Sequence, residues 1–236
     1  MEQRAAIILQ ARVSSTRLPA KALATIQETT LIERCLHRLK LAAVGEVMLA
    51  TTELAEDDAL VEIAARMKVP SFRGSTDDVL GRYVKAAQMM GADVVIRATG
   101  DNPAVDIDAP ARVLAALRET SADYACEDGL PIGAGVEAVR IGALYRAAAA
   151  ATCDEDREHV TLYVKRRPGP FRVTRQPAPP ELHRPDVRVT VDTAEDLDYV
   201  RRLFTAAHEP EPSLAQLIAA TDICTPSNLH ESVDFQ

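Results

Sequence analysis

The stretch Ala11-Arg12-Val13-Ser14-Ser15-Thr16-Arg17-Leu18-Pro19-Ala20-Lys21 gathers three cations and three hydroxyls within eleven residues. Guanidinium groups chelate phosphate oxygens and a lysine adds a point charge, so the composition suits a polyanion such as a nucleoside triphosphate. The stretch directly follows the apolar run 5–9 and therefore hangs from the end of the first predicted strand. That is where open α/β sheets bind ligands.

Two acids occupy comparable places. Asp101, in Thr99-Gly100-Asp101-Asn102-Pro103, follows the predicted strand 94–98, and Asp192 closes the predicted strand 187–191. Magnesium takes few carboxylates, several waters and substrate phosphate oxygens, so both acids are candidate metal ligands facing a triphosphate. Both also have a purely structural reading. Asp101 suits a turn before Pro103, while Asp192 or Thr193 suits the cap of the next helix, with the acids that follow favouring its dipole. On spacing alone capping is the stronger reading of Asp192, and the basic loop shifts the weight toward metal binding. Asp106-Ile107-Asp108 is a competing metal motif of the acid-x-acid kind, for which capping of the following helix is the simpler account.

The elements that must carry these residues alternate. Strands are predicted at 5–9, 47–50, 69–72 and 94–98, with helices at 31–41, 57–67, 79–90 and 110–117. Such βαβα order implies an α/β protein with a mostly parallel sheet and helices on both faces. After residue 120 the rhythm changes: 123–139 is Gly-rich and reads as a strand, a turn and a second strand. Helices at 141–151 and 154–164, strands at 171–175 and 187–191, and a helix at 194–206 follow. We expect one domain over 1–207, with a flap or dimerisation segment at about 121–185. A tail over 208–236 should carry one short helix near 214–220 and a loosely packed end, given Pro210, Pro212 and Pro226.

The chain has 236 residues, 47% of them hydrophobic, which is ample for a packed core. Its net charge of −8 disfavours broad binding to nucleic acid or to an anionic membrane surface. No apolar run approaches the roughly 20 residues that span a bilayer, and the amino terminus has no signal-like segment. Cys35, Cys126, Cys153 and Cys224 have neither C-x-x-C spacing nor a companion histidine pattern, so they read as reduced thiols. A cytoplasmic enzyme is the expectation.

Taken in order, five motifs resemble the CTP-dependent cytidylyltransferases, which include the enzymes that activate Kdo and sialic acids. They are Gln10 to Lys21, Arg73-Gly74-Ser75-Thr76-Asp77-Asp78-Val79-Leu80, Thr99-Gly100-Asp101, Arg157-Glu158-His159-Val160-Thr161 and Val191-Asp192-Thr193. The nearest likeness is to the spore-coat polysaccharide SpsF-like branch. The resemblance implies a nucleotide-diphospho-sugar transferase fold, a Rossmann-like α/β/α sandwich of GT-A type, often dimeric. It implies that Arg12 and Lys21 hold the triphosphate of CTP, assisted by Arg17 and by Ala11, Ser14 and Ser15 of the same loop. Ala50, Thr51, Arg73, Gly74, Ser75, Asp78 and Arg82 would lie near cytosine and ribose, with Thr99 and Gly100 beside Asp101. Asp101 and Asp192 would bind Mg2+. Ala20 stands where the family commonly has glycine, and Ser14 where the branch often does, which restricts backbone approach to phosphate.

The chemistry so implied is transfer of CMP from CTP to a small anionic acceptor, a nonulosonic acid, sugar phosphate or phosphonate, with release of pyrophosphate. Toward the acceptor, Glu137 either receives hydrogen bonds from hydroxyls or is an exposed strand glutamate. His159 is a base or a surface histidine, and Arg157 and Lys165 recognise an anion or are solvated helix charges. Phe72, Tyr83, Tyr145 and Tyr163 read as packing residues. The rival readings are a metal-dependent glycosyltransferase that uses Asp106 and Asp108 on a nucleotide sugar, and a non-catalytic nucleotide-binding protein.

Overall fold

Residues 5–9 are apolar without interruption because helices cover both faces of that strand. In the computed structural model, which describes residues 3–224, the chain runs β1 (Ala5–Gln10), a 3₁₀ turn at Lys21–Leu23, a small hairpin of β2 (Thr25–Ile26) and β3 (Thr29–Thr30), and α1 (Leu31–Leu41). Next come β4 (Glu46–Thr52), a 3₁₀ turn at Ala55–Asp57, α2 (Asp58–Arg66), β5 (Ser71–Gly74), α3 (Val79–Met90) and β6 (Val94–Thr99). The second half contains α4 (Ala109–Glu119), β7 (Tyr124–Asp128), β8 (Glu137–Arg140), α5 (Ile141–Ala150), α6 (Asp154–Glu158), α7 (Leu162–Lys165) and β9 (Val173–Pro177). A 3₁₀ turn at Pro180–Leu182, α8 (Ala194–Ala206) and α9 (Leu214–Cys224) complete it.

The seven-stranded sheet has the order β5-β4-β1-β6-β8-β7-β9, and only β8 runs antiparallel to its neighbours. Side chains alternate across the sheet. Ile7 and Leu9 pack with α1, α2, α4, α8 and α9, whereas Ala6 and Ile8 pack with α3, α5 and α7. The architecture is the expected α/β/α sandwich with a mostly parallel sheet. After β1 the chain moves outward to β4 and β5, then returns to place β6 on the other side of β1. The strand order therefore reverses beside β1, and a crevice opens outside the carboxyl ends of β1, β4 and β6.

Two close contacts fix that edge. The Gly100 amide donates to Gln10 O at 2.8 Å, and a Cβ on Gly100 would fall 2.7 Å from Ala11 Cβ. The Tyr83 hydroxyl, wholly buried, lies 3.0 Å from Ile8 O and 2.9 Å from Ala98 O, so α3 is pinned across β1 and β6. Tyr83 is thus a packing residue, as its isolation in sequence suggests.

Several elements depart from the sequence reading. The helix expected at 154–164 is broken into α6 and α7, with His159 between them at φ −98 and ψ 65. The stretch 187–191 is extended but not a sheet strand: it makes a single bridge, Ile132 with Arg188. Its neighbours are loops, so no ladder can propagate. Strands expected at 69–72 and 171–175 are displaced toward the carboxyl end, to β5 and β9. The end is not loosely packed as far as Cys224, since Leu214 and Leu217 are buried and Arg38 donates to Pro212 O at 2.7 Å. The proline-rich turn supplies carbonyls that two buried arginines of α1 need, Arg34 reaching Pro210 O at 3.5 Å. Pro226 lies outside the described residues. Among them, no helix is long and apolar enough to cross a membrane.

Gly100→Ala forces the backbones after β1 and β6 apart. We expect a loss of about 1–3 kcal/mol, the range for overpacking, read as a lower Tm by calorimetry.

Candidate active site

The basic loop is tied down at intervals. The Ala11 amide donates to Ala50 O at 3.3 Å, the Val13 amide to Asp57 Oδ1 at 2.7 Å, and the Lys21 amide to Leu18 O at 3.2 Å. Ser15 Oγ accepts from the Leu18 amide at 3.5 Å, and Ser14 is partly buried in the same turn. Ala20 takes a left-handed conformation, φ 54 and ψ 27, immediately before the 3₁₀ turn that Lys21 opens. This is the backbone geometry that favours glycine, because a Cβ there crowds the carbonyl.

The capping question at residues 192–193 has a definite answer. Thr193 Oγ1 accepts from the Asp196 amide at 3.2 Å, and Asp196 Oδ2 accepts from the amides of Thr193 at 3.0 Å and Asp192 at 2.8 Å. Thr193 and Asp196 thus form the capping box of α8, and the Asp192 carboxylate is left for other partners. Asp192 Oδ1 accepts from Lys21 Nζ at 3.0 Å and from Arg17 at 2.8 Å, while Oδ2 accepts from Arg188 at 2.6 Å. Partial burial pushes the Asp192 carboxyl up, but Lys21, Arg17 and Arg188 outweigh it and hold it below the usual carboxylate range.

Lys21 Nζ also reaches Asp101 Oδ2 at 3.3 Å and Val191 O at 2.9 Å. The backbone joins the same pieces, since Asp101 O accepts from the Val191 amide at 2.8 Å and from Thr190 Oγ1 at 3.2 Å. Beyond them, Ile132 N donates to Val187 O and Val189 N to Ile132 O, each at 2.8 Å. Gly133, at φ 96, lies so close that a Cβ would fall 2.6 Å from Thr190 N. Thr99 Oγ1 accepts from Asn102 at 2.9 Å and closes the turn around Asp101.

Arg12 is exposed and makes no ion pair or hydrogen bond among the described residues. It lies near Arg82, whose guanidinium is buried, donates to Ser75 O at 2.9 Å and leaves Nε without a partner. Burial lowers the Arg82 pKa and the Arg12 charge acts in the same direction, so the two cations together favour an anion beside them. Other residues of this side serve the scaffold. Arg73 donates to Thr52 O at 2.9 Å and Leu54 O at 2.7 Å and pairs with Asp58, Gly74 registers against Thr52, and Thr51 is buried. Ser75 Oγ accepts from the amides of Asp77 and Asp78, and Asp78 caps α3 through the Gly81 amide at 2.9 Å.

Glu137 is neither exposed nor free. Its carboxylate accepts from Arg97 at 3.0 Å, Tyr124 at 2.8 Å, Thr161 at 2.7 Å and Lys165 at 2.7 Å. Burial would raise its pKa, but Arg97 and Lys165 bring it down to about 2. Arg157 donates to Ala148 O and Ala151 O and pairs with Asp78 at 3.4 Å, tying α6 to α5 and α3. His159 is exposed at the break between α6 and α7. Asp106 is held by Arg112 at 2.6 Å, which also grips Glu127, and Asp108 stands exposed at the start of α4 without making a side-chain cap. No group of three or more metal-ligating side chains occurs among the described residues.

Sequence reasoning passed over Asp57, Arg188 and Arg97. Asp57 reads as a helix start, Arg188 gave its signal only as a cation four residues before Asp192, and Arg97 as a lone charge inside the apolar run 94–98.

A cationic loop and two convergent acids on the carboxyl edge of this sheet define a nucleotidyltransferase. The chain belongs to the cytidylyltransferase family, whose profile matches residues 6–221. It is 34% identical over 218 residues to the spore coat polysaccharide biosynthesis protein SpsF of Bacillus subtilis (strain 168), covering 89% of this chain and 91% of that one. A cytidylyltransferase structure from Leptospira borgpetersenii superposes over 100% of both chains with a TM-score of 0.88 at 27% identity. A CMP:2-keto-3-deoxy-manno-octonic acid synthetase complexed with CTP shares the fold, with a TM-score of 0.65 at 19% identity over 86% of this chain and 98% of that one.

Two expectations follow from this geometry. Ala20→Gly should leave stability unchanged or raised by up to about 1 kcal/mol, whereas Ala24→Gly, where the backbone is extended (φ −65, ψ 140), should cost about 0.5–1 kcal/mol by thermal unfolding. The depressed Glu137 pKa contributes stability that is complete above about 4.5 and lost as pH falls toward about 2. Urea unfolding between those pH values should show a steeper decline for wild type than for Glu137→Gln.

Proposed function

We propose that this chain transfers CMP from CTP to a small anionic acceptor, a nonulosonic acid, sugar phosphate or phosphonate, and releases pyrophosphate. The observation that carries the reading is the convergence of Asp101 and Asp192 on Lys21, in a loop whose Arg12 has no ion pair among the described residues, in a member of the cytidylyltransferase family. The CTP-bound relative and the polysaccharide-biosynthesis relative support the nucleotide and the product class.

The acceptor oxyanion attacks the α-phosphorus in line, forming a new P–O bond as the bond to the bridging oxygen of pyrophosphate breaks. Such chemistry needs positioning and charge neutralisation rather than a covalent intermediate. Arg12 and Lys21 bind the triphosphate and stabilise charge on the departing pyrophosphate, with Arg17 assisting from the same loop. Asp101 and Asp192 fit a magnesium ion, because their hard oxygen donors already converge on one positive point at 3.3 and 3.0 Å. Bound there, magnesium would screen the two anions and lower the pKa of the acceptor oxygen. The reading includes a cytoplasmic homodimer formed through the segment 121–185.

A pyrophosphate-release screen tests it, with CTP, UTP, ATP and GTP plus magnesium against nonulosonic acids, sugar phosphates and phosphonates. CTP should support release with at least one acceptor. Lys21→Ala and Asp101→Asn should each lower turnover at least about a hundredfold in a folded protein, the effect of removing one transition-state contact. Wild-type rates in either variant, or no release with any pair, would refute the assignment.

A further inference from the structure

Asp57 stands at the capping position of α2, yet its carboxylate accepts nothing from that helix. An aspartate there normally takes the N2 or N3 amide. Instead the side chain turns back toward the sheet edge. Oδ2 accepts from the Thr52 amide at 3.0 Å, from Thr51 Oγ1 at 2.9 Å and from the Thr52 hydroxyl, all at the end of β4. Oδ1 accepts from the Val13 amide of the basic loop at 2.7 Å. The residue is fully buried, and among the described residues it forms no ion pair.

Only neutral donors touch its oxygens, the charge of Arg82 acting from farther away, and a buried carboxylate so placed is tolerated only when those donors are all in place. Here Oδ1 depends on the Val13 amide, so lifting the loop off the sheet would strip that oxygen of its donor inside the protein. Docking of the loop and satisfaction of Asp57 are one event. We propose that Asp57 is a positioning residue for the nucleotide: it fixes the phosphate loop in register with β4 and so sets where Arg12, the residue before Val13, presents its guanidinium. The inference rests on the CTP reading and adds to it a residue that touches no substrate.

Asparagine at this position makes the test selective. An amide has one acceptor oxygen. Kept on the Thr51 and Thr52 donors, that oxygen turns the NH2 toward Val13, donor against donor, so Asp57→Asn releases the loop while β4 keeps its partners. A loop that docks only part of the time raises the apparent dissociation constant by the inverse of its docked fraction. We expect KM for CTP to rise about tenfold, kcat to stay within about twofold, and the Val13 amide to exchange with deuterium about a hundredfold faster.

A merely structural aspartate would lower Tm without moving KM or singling out Val13. Unchanged KM in the folded variant, or exchange at Val13 equal to wild type, overturns the proposal. Should Asp57→Asn fail to fold, the wild-type protein decides, because its Val13 amide must exchange at least about tenfold more slowly than those of Arg12 and Ser14. A protected Val13 in a wild-type protein that turns over no CTP refutes the nucleotide reading and leaves the loop tether standing.

Discussion

Lys21 reaches Asp101 across 80 residues of sequence and Asp192 across 171, and the carboxyl edge of the sheet depends on that ammonium. Without it two carboxylates would face one another in a partly buried place, where mutual repulsion and desolvation both oppose ionisation. Arg17 and Arg188 add their charges to Asp192 from either side. In a chain with a net charge of −8, this edge is a local reversal of sign that suits a polyanionic ligand.

The same edge shows how a protein separates acids that build from acids that react. Thr193 and Asp196 complete the cap of α8 between them, so the neighbouring Asp192 owes nothing to the helix. Glu137 is the opposite case, since its oxygens are taken by Arg97, Tyr124, Thr161 and Lys165, which join β6, β7, β8 and the α6–α7 segment. A carboxylate so occupied ties those elements rigidly together. It has no acceptor capacity left to offer a substrate hydroxyl.

What was legible in the sequence follows from locality. The apolar run of β1 and the alternation through α4 announced a parallel sheet, because strands buried on both faces need no polar positions. The cations of residues 12–21 and the acids that follow two predicted strands were visible because each sits in a short motif. Their convergence was not, since it depends on 187–191 leaving the sheet to pair with Ile132 and Asp101. Asp57 opens the helix expected at 57–67 and gives no other local signal, and only the fold shows its carboxylate turned away from that helix toward Val13 and the end of β4. The break at His159 and the burial of the proline-rich turn were hidden for a similar reason, as both answer to tertiary partners.

Gly133 presses against Thr190, and the strap that Thr190 belongs to carries Asp192 two residues further on. The loop 129–136 and the strap 187–192 therefore behave as one cassette, with a seam too tight for any side chain at residue 133. Evolution or an engineer exchanging this loop to alter what the crevice admits would have to transplant both halves together. A graft of the first alone would wedge the seam and misplace the aspartate on the far side of it.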